Sequence, residues 1–285
     1  MKDVTNAMRA HILTAAVPYI KQYTDQYVVV KYGGNAMIDE ELKKSVMKDL
    51  MLLQLVGVKV VLVHGGGPAI NSTLDAMKIE SHFANGLRVT DEATMDVVQM
   101  VLAGKVNKGL VADLTDLGGK AVGLCGVDGN MIQVHKQNDE LGYVGSIDTI
   151  DTSIIDDVIS RGYIPVISSI GMGADGKTYN INADTVAAKI AGALKAETMV
   201  AMTNIDGVLR DVHDPSSLIS KITMAEADQL KAEGIIAGGM IPKVDCCLEA
   251  IKSGAQKVFI INGEIPHAIL IELLTDEGLG ILFFK

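Results

Sequence analysis

The chain has 285 residues, 48% hydrophobic and 21% charged, with only 6 prolines and a formal net charge of −10. That length buries a sizeable core in one large domain or two modest ones, and the composition excludes a largely disordered chain. The acidic balance excludes nucleic acid as the main partner, and no run reaches the ~18 uninterrupted apolar residues of a membrane helix.

In chain order, Val4, Met8, Ile12, Ala16 and Ile20 recur every fourth residue, which predicts one helix from Asp3 to about Tyr23 with an apolar stripe and no core of its own. The run "ILTAAVPYI" inside it makes a poor signal peptide, because Pro18 interrupts it and Asp3 precedes it. "YVVVKYGG" reads as a buried strand, "DEELKKSVMKDLMLLQLVG" as an amphipathic helix and "VKVVLVHGGGPAI" as a second buried strand running into a turn and helix: a β-α-β unit. "KAVGLCGVDGNMIQVH" is expected to form a hairpin with Asp128-Gly129 at its turn. A helix ("TSIIDDVISRG") and a strand ("YIPVISSIG") follow. Beyond Ala183 come a helix, the strand "TMVAMT", a helix from Met224 closed by a Thr223/Glu226 capping box, and the strands "KVFIIN" and "GILFFK". Helices alternating with apolar strands predict an α/β sandwich around a mostly parallel sheet. The 3 cysteines include the adjacent pair Cys246 and Cys247, so no disulfide framework follows and a reducing cytoplasm is the expected compartment.

"GMGADGKT" (Gly171 to Thr178) fits both the P-loop formula and the dinucleotide fingerprint. Both motifs require a helix to open directly at the glycines. Here "YNIN" follows, whose period of two belongs to a strand, and Asp175-Gly176 is a hairpin turn signal. The stretch is therefore expected to be a hairpin. Thr178, Asn180 and Asn182 then share a face, and Asp184 is expected to be the N-cap of "TVAAKIAGAL".

Two other turns suit phosphate better. "KYGGNAM" (Lys31 to Met37) and "HGGGPAI" (His64 to Ile70) each follow an apolar strand, and glycine runs fold into concavities of backbone N–H groups. Either turn alone is explained as well by structure; two in one β-α-β unit are harder to dismiss. In "GGMIPKVDCCLEAIKSG", Pro242 puts Lys243 at a helix N-terminus, where a cation is unfavourable unless an anion binds or the side chain is simply solvated.

"KYGGNAM", "HGGGPAI", "NGLRVTD", "YNINADT" and "GGMIPKV" occur in the order and approximate spacing of the amino acid kinase family. From about Tyr19 onward the chain resembles the branch that phosphorylates the γ-carboxylate of N-acetyl-L-glutamate in arginine biosynthesis. The resemblance implies a three-layer α/β/α sandwich around an open, mainly parallel, carbamate kinase-like sheet of about eight strands. It also implies an oligomerisation helix over residues 1–25, an acetylglutamate-binding lobe over 26–195 and an ATP-binding lobe over 196–285. Lys31 and Lys243 would stabilise the phosphoryl group in flight, with Asp184 orienting both; Gly33, Gly34 and Gly66 would donate N–H groups, and Gly66 and Gly67 would also hold substrate. Arg88 and Asn180 would hold the α-carboxylate end, and ATP would lie over Thr203, Asn204, Asp206, Gly207, Val208 and Leu209. Mg²⁺ would arrive with ATP, with no metal ligands from the chain.

The chemistry agrees: a γ-carboxylate with a reference pKa of about 4.3 is already ionised and needs no general base. His64 is accordingly read as structural. The N-terminal helix and "HAILIELLTDEGLG" resemble the arginine-inhibited hexameric branch built from interlocked dimers, with Tyr19, Glu272 and Gly278 as arginine ligands; Phe259 stands where such relatives often carry histidine. The alternatives are a sister kinase acting on aspartate, glutamate or carrier-linked aminoadipate, or a catalytically silent sensor of arginine or nucleotide. A P-loop or dinucleotide protein is opposed by the strand-like "YNIN".

Overall fold

The computed structural model describes residues 5–204, 207–210 and 217–285. Two helices, α1 (Asn6–Ala15) and α2 (Val17–Tyr23), precede a β-α-β unit made of β1 (Tyr27–Tyr32), α3 (Glu40–Leu55) and β2 (Lys59–His64). Next come α4 (Gly67–Met77) and the hairpin of β3 (His82–Ala84) and β4 (Leu87–Val89). A π-helical segment, Met100–Val106, joins α5 (Glu92–Gln99) to α6 (Asn107–Asp116). β5 (Ala121–Cys125), β6 (Ile132–Lys136), β7 (Gly145–Ile150), α7 (Ser153–Ser160), β8 (Ile164–Ser168), β9 (Ile170–Gly173), β10 (Thr178–Asn180) and α8 (Ala183–Ala193) follow. The chain continues through β11 (Thr198–Thr203), β12 (Val208–Leu209), β13 (Leu218–Ile219), β14 (Lys221–Thr223), α9 (Met224–Ala232) and α10 (Met240–Ser253). β15 (Lys257–Asn262), α11 (Ala268–Leu274) and β16 (Ile281–Phe284) end it.

Eight strands form one sheet in the order β14-β16-β15-β11-β1-β2-β8-β5, and only β14 and β16 run against the rest. The central strand explains the layers. Val28, Val30 and Tyr32 of β1 point to one face, where they pack with Leu50 of α3, Leu110 of α6 and Leu273 of α11. Val29 points to the other face, against Ala187 of α8 and Val244 of α10. Side chains of a strand alternate between faces, and each fully buried valine contributes about 1.5–3 kcal/mol. Helices on both faces give the expected three-layer α/β/α sandwich with its mainly parallel eight-stranded sheet. Lys31 has the parity of Val29, so its side chain falls on the α8 face.

"GMGADGKT" is a hairpin: β9 and β10 pair antiparallel, with Thr178 opposite Met172 and Gly176 at φ +76° in the turn. The Thr223/Glu226 capping box is also present. Three local expectations are overturned. The N-terminal helix is two helices, broken at Ala16, because Pro18 has no N–H to continue the ladder and sits instead in the first turn of α2. "KAVGLCGVDGNMIQVH" is not a hairpin. β5 pairs with β8 in the main sheet, whereas β6 enters a second sheet between β9 and β7; Asp128 turns the chain by accepting a bond from Cys125 N at 2.7 Å. The N-cap of α8 is Asn182, which accepts from the N–H groups of Asp184 and Thr185; Asp184 lies one step inside the helix.

No side chain of α1 is buried, while Tyr23 at the end of α2 is 3% exposed and sits under the Lys257 ammonium. Deleting residues 1–15 should therefore change unfolding free energy by no more than about 0.5 kcal/mol, whereas Tyr23→Ala should cost about 3 kcal/mol. Urea unfolding followed by circular dichroism measures both.

Candidate active site

A cleft of about 280 Å³ opens at the C-terminal ends of the parallel strands, where open α/β sheets place their ligands. Its position follows from topology. The chain leaves β1 through α3 toward β2, but leaves β11 through α10 toward β15 on the other side, so the winding reverses between β1 and β11. Lys31 is the penultimate residue of one of these strands and Thr203 the last of the other.

Lys31 Nζ lies 3.0 Å from Asp184 Oδ1, which the first turn of α8 presents across the cleft. Gly33 adjoins this lysine: a Cβ there would stand in ordinary contact with it, 3.4 Å from Nζ. Gly34 has φ +72°, a conformation that side chains resist. Gly66 and Gly67 open α4 opposite, with Pro68 in its first turn, so the helix directs unpaired N–H groups and its positive dipole end at the cleft. A side chain at Gly66 would strike Leu102 of the π segment at 2.7 Å.

The β3–β4 hairpin brings in Arg88, whose buried guanidinium donates to Ser81 Oγ and, at 2.5 Å, to Asn71 Oδ1. Burial lowers its pKa from the ordinary arginine value. Two bonds leave part of its five-donor fork for a ligand. Asn180, at the end of β10, lines the same cleft and donates to Thr90 Oγ1 at 3.3 Å.

A recess beside the cleft shares Asp184 with it and holds Lys243, Thr203 and Cys246. Lys243 Nζ donates to Thr203 Oγ1, and its pKa is lowered by burial first, then by the Lys31 charge, with Asp184 opposing. The two lysines and the carboxylate thus form one electrostatic unit. Cys125, Cys246 and Cys247 are all free thiols, and burial raises that of Cys246 to about 11. Beyond β11, Asn204 is exposed, Gly207 has φ +156° against Leu218, and Val208 and Leu209 pair with β13; Asp206 lies outside the described residues.

Lys177, the lysine of the false P-loop, does not line the cleft; it is exposed on the hairpin and donates to Tyr143 OH at 3.1 Å. Glu272 and Gly278 meet below α11: Glu272 Oε2 accepts from Leu279 N at 2.7 Å and Gly280 N at 2.9 Å, and Oε1 is 3.1 Å from where a Gly278 Cβ would stand. Tyr19 is on α2, which packs on α11, and Phe259 is buried in the same core cluster. Phe83 and Leu102 are among the cleft residues that escaped the sequence reading. Phe83, 58% exposed, has the Arg88 guanidinium 4.7 Å from its ring, and Leu102 presses on Gly66. Asn85-Gly86, both with positive φ, is the turn signal from which the hairpin was legible.

Residues 26–262 match the Amino acid kinase family, and the chain belongs to that family. Acetylglutamate kinase from Brachyspira hyodysenteriae is 51% identical over 100% of both chains. The acetylglutamate kinase of Clostridium kluyveri is 53% identical over 96% of this chain and 98% of its own. Among solved structures, N-acetylglutamate synthase from Neisseria gonorrhoeae, complexed with coenzyme A and N-acetyl-glutamate, superposes with a TM-score of 0.84 at 27% identity. This chain covers 63% of that synthase, and 97% of this chain is matched. Carbamate kinase from Giardia lamblia shares the fold, with a TM-score of 0.65 over 91% of this chain and 98% of its own at 17% identity.

His64 is fully buried beneath the second glycine turn, and burial pushes its pKa down to about 4. The unfolded chain binds a proton near pH 6.5 that the folded chain refuses, so this group's stabilisation is complete above about 6.5 and is lost as pH falls toward 4. Asp49, raised to about 6 by burial, works in the opposite sense over much of that window, so the total slope is not diagnostic. The destabilisation caused by His64→Asn should instead shrink by up to about 3 kcal/mol between pH 7 and pH 4. Denaturant unfolding of both proteins at several pH values measures the difference.

Proposed function

We propose that the chain transfers the γ-phosphoryl group of ATP to the γ-carboxylate of N-acetyl-L-glutamate, forming an acyl phosphate. The observation that carries this reading is the convergence on one cleft of Lys31, Gly33, Gly66, Arg88, Asn180 and Asp184, drawn from separate segments of a chain half identical to acetylglutamate kinases.

The acceptor carboxylate is ionised at neutral pH, so no side chain has to take its proton. Catalysis is then positioning and charge. Arg88 and Asn180 hold the α-carboxylate end, and the turn at Gly66 and Gly67 holds the reacting end. Lys31 and Lys243 offset the negative charge that spreads over the phosphoryl oxygens in flight, with the N–H groups of Gly33, Gly34 and Gly66 around it. Asp184 keeps the two ammonium groups together. ATP lies along Thr203 to Leu209, and Mg²⁺ enters bound to its phosphates and to water. In this reading residues 26–195 form the acceptor lobe and 196–285 the nucleotide lobe, and the reaction belongs in the cytoplasm. No described helix is long and apolar enough to cross a membrane.

Incubation with MgATP, acetylglutamate and hydroxylamine should yield the acyl hydroxamate. Product with free glutamate or aspartate, and none with acetylglutamate, would move the assignment to a sister kinase. Lys31→Ala and Lys243→Ala should each slow turnover by roughly 100- to 1000-fold, the cost of removing one preorganised donor from a developing charge. Lys177→Ala should change it less than about 2-fold, so a comparable loss there would revive the P-loop reading. Arg88→Ala should raise the apparent KM for acetylglutamate, because Arg88 grips a carboxylate that does not react; a pure kcat defect would contradict that role.

Arginine is the proposed inhibitor, bound among Tyr19, Glu272 and Gly278. The support is placement: Glu272 and Gly278 adjoin, Tyr19 rides on the helix packed against α11, and α1 leaves its apolar Met8 and Ile12 exposed for a second dimer to cover. Coupling of about 1–3 kcal/mol would shift substrate affinity measurably. Removal of residues 1–25 should convert a hexamer to a dimer in sedimentation and abolish inhibition. A truncated dimer as arginine-sensitive as the full chain would show that α1 and α2 do not carry the coupling.

A further inference from the structure

His64 takes no proton in the reaction above, yet it sits directly under the turn that holds the reacting carboxylate. The hydrogen bonds around it fix its state. Lys108 Nζ donates to Asn107 Oδ1 at 3.1 Å and to Gly123 O at 3.0 Å, which identifies the oxygen end of the Asn107 amide. The other end, Asn107 Nδ2, faces Val166 O at 2.8 Å, His64 Nε2 at 3.0 Å and Leu124 O at 3.3 Å. An amide nitrogen only donates, so His64 Nε2 is the acceptor and the ring proton is on Nδ1. Nδ1–H then donates to Gly65 O at 2.9 Å. In a trans peptide the C=O and N–H point in opposite directions. A Gly65 carbonyl held against the buried ring therefore turns the N–H of Gly66 away from the core and toward the cleft that Gly66 lines.

We propose that His64, held by Asn107, is a positioning residue for phosphoryl transfer: it clamps the Gly65–Gly66 peptide so that the Gly66 N–H points into the cleft, at the phosphoryl group in flight. Two further features serve the same clamp. Among the described residues, no carbonyl or side chain accepts from the Gly66 N–H, which leaves it for a ligand in the cleft that Gly66 lines. From the other side, Leu102 and Val106 of the π segment close on Gly66, where a Cβ would meet them at 2.7 and 3.3 Å. The peptide is thus fixed by polar contact below and apolar contact above. Gly123 completes the arrangement, because a Cβ there would overlap Asn107 Oδ1 at 1.8 Å and Lys108 Nζ at 2.5 Å.

The kinetic side of this inference rests on the acetylglutamate kinase reading; the ring's tautomer does not. His64→Ala and Asn107→Leu should lower kcat by roughly 10- to 100-fold while both substrate KM values stay within about 3-fold. His64→Asn, which keeps an N–H donor near the Nδ1 position, should recover at least about 5-fold of that loss. Wild-type kcat should show no titration attributable to this ring between about pH 6 and pH 9. In protein labelled with ¹⁵N-histidine, the His64 signal, identified by its loss in His64→Asn, should be that of the Nδ1–H tautomer from about pH 8 to pH 5. An Nε2–H tautomer overturns the clamp whether or not any variant folds. So does a folded His64→Ala enzyme with kcat within about 2-fold of wild type, or a loss confined to KM. A kcat titration that vanishes with His64 makes it an acid–base group instead. Failure of the wild type to phosphorylate any acceptor would sink the kinase reading and leave the tautomer result to judge the clamp alone.

Discussion

Two ammonium groups, Lys31 in the cleft and Lys243 in the recess beside it, repel each other, and among the described residues the Asp184 carboxylate, which lines both, offsets that repulsion. Like charges in a low-dielectric site cost several kcal/mol unless a counter-charge is placed between them. Much of the architecture serves that placement. Lys31 reaches the cleft because it has the parity of Val29, on the α8 face of β1. Asp184 reaches it because Asn182 caps α8 and leaves the carboxylate in the first turn, where the helix dipole favours a negative charge. Lys243 opposes the dipole of α10, and its bond to Thr203 ties it to the end of β11. The hairpin that imitates a phosphate loop is, in this light, the device that aims α8.

Beneath this charged layer lies a neutral one. His64 and Asn107 are buried, uncharged and saturated with hydrogen bonds, as buried polar groups must be. The division follows from solvation: charge survives where the cleft admits water and ligand, and below that depth only neutral donors and acceptors are tolerable.

What the sequence disclosed depended on how local its signals are. The buried strands, the first β-α-β unit, the Thr223 capping box and the β9–β10 hairpin are written in periods and turn residues within a few positions of each other. The grouping of the five motifs followed from their order in the chain and from family likeness, not from pattern alone. The failures were non-local. β5 looks as if it should turn back on β6, but its partner β8 lies some forty residues on, and period alone cannot tell the two pairings apart. Asn107 gives no sign of its role in "GKVNKG", because its partners are carbonyls of two strands and a ring brought in by the sheet. The π segment that seats Leu102 over Gly66 has no composition signature at all.

β2, β1 and β11 are immediate neighbours in the sheet, and adjacent strands lie about 4.8 Å apart. The glycine turn after β2, Lys31 at the end of β1 and Thr203 at the end of β11 therefore stand in a row with that step. Backbone hydrogen bonds set this ruler, and no side-chain replacement rewrites it. Arg88 and Phe83 belong to a separate two-stranded sheet laid over the row. In the proposed reaction, the distance over which a group must travel and the groups assigned to grip its acceptor are thus encoded in different pieces of chain, so one is free to diverge while the other stays fixed.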